Sequence, residues 1–388
     1  MARLNNALKQ RKSGLQSNAN YLLPVSSTYA KVFAMIKKLK NDIDTELKAF
    51  LKKASADFEL KSSSNILYAS IINFLIRGGK RIRPILFILS YLGYTKNRKI
   101  IQKNLIRASL SFELLHDFLL VHDDIIDESF LRRGKPAMHT LLNQKLNLSP
   151  KNKLGANLGI VTGDILFALA VRALLSFNEN PLRKENALKI FTEITAYTGI
   201  GEFIDVLNNI SDINKISKKD INLTYALKTS KYTFEGPLMI GGILSGAPKE
   251  EINKLSKLGR VLGLAFQIQD DLLDVFGTVQ KTGKPIFSDI AESKKTLLIW
   301  QTHKRALKKD KAFIEKVFKK KPKNKQELRK IQHLIKTTGT GEYYKKQVLA
   351  DVEESISITH SLHMKDKLKT VLKNFINKSY SGISSLDI

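Results

Sequence analysis

The sequence contains the pattern Asp-Asp-x-x-Asp twice, in VHDDIID at residues 121–127 and in IQDDLLD at residues 268–274. The dipeptide Asp-Asp occurs nowhere else in the 388 residues. On a helix that turns about 100° per residue, the first and third aspartates of each pattern lie about 40° apart, and the second lies about 100° from the first. Two helices carrying these patterns would therefore each present three carboxylates on one arc.

Both patterns are embedded in apolar runs rather than in polar helix faces. Leucine and valine precede the first pattern at residues 119–121, and the second pattern follows the largely apolar run 262–268. A carboxylate in such surroundings loses several kcal/mol of hydration unless a cation compensates it. Neither pattern has a lysine or arginine three or four positions away on its own helix. We therefore expect a cation from outside the sequence between the patterns; the alternative is exposed carboxylates without a role.

Carboxylate oxygens without histidine or cysteine ligands suit Mg²⁺, which keeps several waters and is commonly completed by substrate phosphates. The chain has no cysteine, which excludes disulfides, cysteine-ligated zinc, iron–sulfur clusters and a thiol nucleophile. The two aspartate patterns therefore predict a magnesium site, and catalysis has to use oxygen, nitrogen or metal chemistry.

Composition and periodicity favour one large helical domain. Hydrophobic residues make up 43% of the chain, and 21 glycines with 9 prolines are few for this length. Apolar residues recur at helical spacing from about residue 27 onward. We predict an all-α domain over residues 27–388. Helices are expected from residue 27 and over residues 66–76, 85–92, 104–127, 155–176, 187–209, 220–244, 250–276 and 294–307.

The net charge of +29 would attract nucleic acid, an anionic membrane or a phosphorylated small molecule. We expect no nucleic acid, because that partner leaves six clustered carboxylates unexplained. No uninterrupted apolar run reaches 18 residues, so we expect no transmembrane segment. The Lys-rich stretch 316–330 is interpreted as a solvated loop, with peripheral contact to an anionic membrane as the alternative.

Residues 1–26 form a basic segment without acidic residues, and we expect a flexible tail there. With a tail of this kind, we expect a cytoplasmic protein. The alternative is an organellar transit segment.

Basic residues cluster where helices are expected to break. GGKRIRP at residues 78–84 combines a glycine pair with two guanidinium groups and one ammonium, which suits a diphosphate or merely a helix cap followed by surface charge. His116 lies seven residues before Asp123 and therefore within about 20° of the same helix face. Taken alone, the basic residues at 132, 133, 228 and 284 are typical surface charges.

These motifs together resemble the trans-isoprenyl diphosphate synthases, or polyprenyl synthetases, from about residue 74 to residue 300. The matching segments occur in the family's order: GGKRIRP, LLHDFLLVHDDIIDESFLRRGKPAMH, GDILFALA, LKTSKYTFEGPL and GLAFQIQDDLLDVFGTVQKTGKP. The resemblance implies the isoprenoid synthase fold, in which long, mostly antiparallel helices surround a central cavity. It also implies a homodimer.

The resemblance also implies roles for individual residues. Three Mg²⁺ ions, with Mn²⁺ as a substitute, would be held by Asp123, Asp124, Asp127, Asp270, Asp271 and Asp274. The positions that match the allylic diphosphate site are Arg132, Lys228, Thr229, Gln267 and Lys284. The positions that match the isopentenyl diphosphate site are Lys80, Arg83, His116 and Arg133.

The reaction implied is condensation of isopentenyl diphosphate with an allylic diphosphate, giving an all-trans prenyl diphosphate and free diphosphate. Phe118 and Leu119 occupy the fifth and fourth positions before Asp123, where the family sets product length, and they indicate geranylgeranyl diphosphate. Farnesyl or longer products and a terpene cyclase-like reaction remain alternatives. A helical wheel alone places Phe118 nearly opposite the carboxylates.

One segment departs from the family. Residues 291–295 read AESKK, where the family generally has a glycine. We expect the loop over residues 277–295, which contains this segment, to close over substrate.

Overall fold

The computed structural model describes residues 27–96, 102–278, 286–320 and 322–388. The predicted tail at residues 1–26 and the predicted diphosphate ligand Lys284 lie outside these ranges. The α-helices, numbered α1 to α17 in chain order, are Ser27–Asp57, Leu60–Ser63, Asn65–Leu75, Ile82–Tyr94, Gln102–Ile126, Met138–Lys145, Lys153–Leu175, Pro181–Ile210, Lys218–Tyr225, Gly236–Ser245, Lys249–Phe276, Ser288–Ala291, Leu297–Arg305, Lys308–Phe318, Lys325–Thr337, Thr340–Ser361 and Asp366–Tyr380.

The prediction of an all-α fold is confirmed. Within the described ranges, the β-structure is one antiparallel pair of two-residue strands, β1 Leu131–Arg132 and β2 Lys135–Pro136. A single 3₁₀ turn, Ile213–Lys215, precedes α9. The predicted helices are all present with shifted ends. For example, α8 starts six residues before the prediction because Asn180 caps it and Pro181 supplies the fixed φ of a first helical turn.

A π-helix interrupts the helix predicted over residues 220–244. It spans Ala226–Glu235 between α9 and α10. Pro237 follows directly and has no backbone N–H, and the N–H of Gly236 bonds to the carbonyl of Lys231, five residues back. The wider turn is a common feature of functional sites, and this one carries Lys228, Thr229 and Tyr232.

Helix α5 is the central element of the core. Leu110, Phe112, Leu114 and Leu115 of α5 have no solvent exposure. The helix packs against α7, while α4 packs against α10, and α11 packs against both the π-helix and α16. The first aspartate pattern therefore lies at the C-terminal end of α5 and the second at the C-terminal end of α11.

The GGKRIRP segment lies only partly in the expected place. Gly78 adopts a left-handed conformation with φ 80°, and the chain then enters α4. Arg81 turns inward, where it is paired with the buried carboxylate of Glu113 and donates to Asp44 Oδ1 at 2.7 Å. Arg81 therefore compensates a carboxylate of the core, because burial of Glu113 requires a positive partner.

The Lys-rich stretch 316–330 is mostly helical rather than a loop. Its first three residues end α14 and its last six begin α15. Buried Ile314, Val317, Ile331 and Leu334 give both helices an apolar face. The lysines lie between these apolar residues. A count of charged residues alone therefore did not reveal the helical spacing of the apolar ones.

One described helix, α7, is long and apolar enough to cross a membrane by length and composition alone. Asp164 interrupts its apolar run, which is why the search for uninterrupted runs missed it. The helix packs against α5, and 44% of its apolar window is buried inside the protein. Leu154, Ile160 and Val161 are among its exposed apolar residues.

Candidate active site

Both aspartate patterns line one cavity of about 1170 Å³. Four of the six predicted aspartates belong to its lining: Asp123, Asp270, Asp271 and Asp274. Asp127 forms an ion pair with the lining residue Lys294. Asp124 lies directly behind Asp123 and is fully buried. The cavity therefore joins the two segments that the sequence placed about 140 residues apart on separate helices.

The first aspartate pattern is neutralised by cations from other elements of the chain. Arg132 Nη2 lies 2.9 Å from Asp123 Oδ2, and Arg132 Nε donates to Asp124 Oδ1 at 2.8 Å. Lys294 Nζ lies 2.8 Å from Asp127 Oδ2. Helical spacing could not predict these partners, because they come from parts of the chain outside α5.

Lys228 lies at the centre of a second group of carboxylates. Its Nζ is 3.3 Å from Asp123 Oδ1, 2.7 Å from Glu202 Oε2 and 2.8 Å from Asp205 Oδ2. Burial alone would lower the pKa of Lys228, but Asp123 and Asp205 outweigh burial and raise it above its ordinary value. Burial raises the pKa of Glu202 to about 7, against the opposing effect of Lys228. Lys228 therefore stays charged in this cavity.

The second aspartate pattern is held by neutral donors. Asp271 accepts hydrogen bonds from Tyr225 Oη and, at 3.0 Å, from Gln267 Nε2. Thr229 Oγ1 in turn donates to Gln267 Oε1 at 2.7 Å. Burial, together with the neighbouring Asp289 carboxylate, raises the pKa of Asp271 well above its ordinary value.

Asp274 binds the N-terminal end of α12. Its carboxylate accepts from the backbone N–H of Ser288 at 3.0 Å and of Asp289 at 3.2 Å, as well as from the Ser288 hydroxyl. Burial and the Asp289 carboxylate raise the pKa of Asp274 to about 7. Asp274 thus also acts as the cap that fixes α12 over the cavity.

The donor set fits a hard divalent cation. Within the described ranges no three histidine or acidic side chains converge closely enough to hold a metal as they stand. However, the carboxylates lie near the C-terminal ends of α5 and α11, where the helix dipole disfavours negative charge. Burial and the neighbouring Asp289 carboxylate already raise the pKa of Asp271 and Asp274. A cation among these oxygens would relieve both penalties.

A second basic group lies on another side of the same cavity. Arg83 Nη2 donates to Tyr232 Oη and Thr233 Oγ1, both at 2.9 Å, and its Nε is buried without a hydrogen-bond partner. Tyr232 Oη lies 3.3 Å from His116 Nδ1. Burial, with the charge of Arg83, lowers the pKa of His116 well below its ordinary value, so this imidazole is neutral. Lys80 completes the group at the cavity edge.

Arg133 is directed into this group by backbone geometry. The backbone of Arg133 adopts φ 55° in the turn between β1 and β2. Its guanidinium contacts the carbonyl of Gly78, which links the turn to the glycine pair before α4. A guanidinium fork held in this way presents its remaining donors toward the cavity.

Apolar side chains also line the cavity. Phe118 and Leu119 are both among them, although a helical wheel places Phe118 nearly opposite the carboxylates. The Phe118 ring centroid lies 4.7 Å from that of His122 and 5.4 Å from that of Phe167. Gly163 leaves room for His122, since a Cβ there would collide with the imidazole.

The polyprenyl synthetase profile matches residues 64–335. The chain belongs to this family. A short chain isoprenyl diphosphate synthase of Methanocaldococcus jannaschii is 32% identical over 68% of this chain and 71% of that protein. A geranylgeranyl diphosphate synthase of Saccharolobus solfataricus is 30% identical over 77% and 82%, respectively. The structure of geranylgeranyl pyrophosphate synthase from Corynebacterium glutamicum, complexed with isoprenyl diphosphate and magnesium, has a TM-score of 0.81 at 25% identity, covering 88% of this chain and 98% of that one.

Sequence reasoning overlooked several side chains of this polyprenyl synthetase site. Glu202, Asp205 and Tyr225 carry no motif, and only their positions on helix faces adjoining Lys228 could have suggested them. Lys294 lies in the segment 291–295, which was noted only as a departure from the family, and Asp289 lies in the loop 277–295 that was expected to close over substrate. Both face the aspartate patterns. The site therefore contains more charged side chains than the two aspartate motifs alone predict.

Proposed function

We propose that this polyprenyl synthetase condenses isopentenyl diphosphate with an allylic diphosphate and releases an all-trans prenyl diphosphate, geranylgeranyl diphosphate, and free diphosphate. The observation that carries the proposal is one cavity with three parts. It contains two facing aspartate clusters, a separate basic group and an apolar end. Two anionic substrates with hydrocarbon tails require this combination.

The allylic diphosphate would bind beside the first aspartate cluster. Arg132 and Lys228 lie there with several charge-assisted hydrogen bonds to carboxylates. These cations can turn from the carboxylates to the oxygens of a bound diphosphate, and the carboxylates they release would then be available to hold Mg²⁺. Bound Mg²⁺, three ions in the family pattern, would supply Lewis acidity to the leaving diphosphate. Asp123, Asp124, Asp127, Asp270, Asp271 and Asp274 are the proposed ligands.

Arg132 and Lys228 stabilise the negative charge that grows on the diphosphate as the allylic C–O bond breaks. Lys80, Arg83, His116 and Arg133 bind the second substrate, isopentenyl diphosphate, so that its double bond faces the allylic carbon. Holding both reactants in one geometry supplies much of the rate enhancement. Loss of a proton to the departing diphosphate completes the new double bond and requires no protein base.

The apolar end of the cavity serves the hydrocarbon tail. Phe118, Leu119 and Phe266 border it, and such walls exclude water that would quench a carbocation. We propose that Phe118, supported by His122 and Phe167, blocks further growth of the chain at the geranylgeranyl length.

Replacing Asp123 or Asp270 by alanine should lower turnover by about 100-fold or more, because each change removes one oxygen ligand and unbalances the cations. Turnover is measured with isopentenyl diphosphate, Mg²⁺ and farnesyl diphosphate. The control is Asp366→Ala, whose side chain is 99% exposed on α17. Full activity in Asp123→Ala and Asp270→Ala, with unchanged helix content, would contradict the assignment. Consumption of the allylic substrate without isopentenyl diphosphate would instead indicate a cyclase-like enzyme.

Phe118→Ala should lengthen the product by at least one isoprene unit, since it removes a ring from the cavity wall without touching a charged group. The products are sized by chromatography after dephosphorylation. Phe58→Ala, which removes a 49% exposed ring on the surface, serves as the control. A product distribution that matches wild type would show that another residue limits the chain length.

We also propose that two copies of the chain associate through α7 and α8. These helices expose large apolar residues, among them Val161 at 55%, Phe203 at 67% and Ile210 at 83%. An apolar surface of this extent is typical of a protein interface. Phe203 also lines the cavity, so the partner would cover part of the site's outer wall.

The double variant Val161→Glu/Ile210→Glu should shift the protein from twice 43.8 kDa to a monomer of 43.8 kDa, because it places charge in the apolar surface. Sedimentation velocity measures the mass. Leu307→Glu changes a residue that is 69% exposed elsewhere and should leave the dimer intact. A monomeric wild-type protein would refute the association.

A further inference from the structure

Ser293 adopts a conformation that serine disfavours. Its φ is 69°, in the left-handed region that suits glycine, and its side chain is only 3% exposed. The backbone requires this conformation because α12 ends here in a tight C-terminal motif. The N–H of Lys294 bonds to the carbonyl of Asp289 at 2.9 Å, and the N–H of Ser293 bonds to that of Ile290 at 3.1 Å. This is the Schellman pattern, with serine in the usual glycine position.

The turn at Ser293 directs the next side chain into the active site. Lys294 Nζ lies 2.8 Å from Asp127 Oδ2 and 2.8 Å from Glu292 Oε2. Asp289 lies on α12, three residues before Glu292, and faces Asp271 and Asp274. The α12 segment therefore contributes charge to both aspartate clusters, and its position depends on how its two ends are held.

The N-terminal end of α12 is held by Asp274, as described above, and its C-terminal end is held by Lys323. Lys323 Nζ donates to Ser293 Oγ at 2.6 Å and to the carbonyl of Ala291 at 3.1 Å. It also donates to the carbonyl of Lys320 at 3.1 Å, within its own segment. An ammonium at a helix C-terminus satisfies carbonyls that have no partner within the helix and opposes the negative end of the dipole.

We propose that Lys323 is a positioning residue of the active site: by binding Ser293 and Ala291 it holds the left-handed turn that places Lys294 against Asp127. The family's glycine needs no such support, because glycine adopts this conformation without strain. The connection between α14 and α15, which lies outside the cavity, thereby acts on the allylic diphosphate site. The catalytic part of this inference rests on the proposed function; the structural part does not.

The proposal is tested first without substrate, by hydrogen–deuterium exchange of the full chain. Lys323→Met keeps the aliphatic stem and removes the ammonium. It should speed exchange of the Ser293 and Lys294 amides about tenfold, because the turn opens more often. The matched control is Lys319→Met, which removes an exposed lysine from the same connection. Equal exchange in the two variants and wild type would overturn the proposal, whether or not the protein has prenyltransferase activity.

The second readout is steady-state kinetics. Lys323→Met should lower kcat/KM for the allylic diphosphate about tenfold while changing KM for isopentenyl diphosphate less than about twofold, since the residues assigned to that substrate lie on the other side of the cavity. Lys319→Met should match wild type. An equal loss of kcat/KM for both substrates, or no loss of kcat/KM for either, would overturn the positioning role.

The serine itself provides a further check. In the Ser293→Gly background, Lys323→Met should change kcat/KM for the allylic diphosphate less than about twofold, because glycine holds the turn without a tether. If the loss is as large as in the Ser293 background, the ammonium does not act through this turn and the proposal fails.

Discussion

Charge balance between buried carboxylates and distant cations determines how this molecule is built. Six aspartates gather at the C-terminal ends of α5 and α11, where the helix dipoles disfavour negative charge. Burial disfavours it as well at Asp124 and Asp271, whereas Asp270 is exposed. Arg132, Lys228 and Lys294 approach them from three other elements of the chain. Arg132 lies in β1, Lys228 lies in the π-helix, and Lys294 follows the C-terminal turn of α12. The same cations are the groups that a diphosphate would attract.

The two aspartate clusters differ in how they are compensated. The first is paired with lysine and arginine, whereas Asp271 and Asp274 of the second accept bonds mainly from Tyr225, Gln267 and backbone N–H groups. Burial and repulsion by Asp289 raise the pKa of both carboxyl groups. A cation bound beside Asp271 and Asp274 would therefore favour their ionised forms.

The helices and the two motifs could be predicted because they are local. Apolar spacing and the two Asp-Asp dipeptides lie within one or two turns of the chain, where periodicity is informative. The partner of Asp127 could not be predicted in this way, since Lys294 lies 167 positions away. The motif around Arg81 suggested a diphosphate cradle, but the guanidinium of Arg81 forms an ion pair with the buried carboxylate of Glu113. The place of Phe118 in the cavity wall was expected from the resemblance alone, and the structure puts Phe118 among the residues that line the cavity.

The central claim is that metal ions, and not the basic side chains alone, join a diphosphate to the two carboxylate clusters. Calorimetric titration of inorganic diphosphate into the full chain tests it directly, once with Mg²⁺ and once after chelation with EDTA. We expect binding at least about tenfold tighter with Mg²⁺, and loss of that gain in the double variant Asp123→Ala/Asp270→Ala. Equal affinity with and without the metal would contradict the account, since Arg132, Lys228 and Lys294 would then suffice to hold the anion.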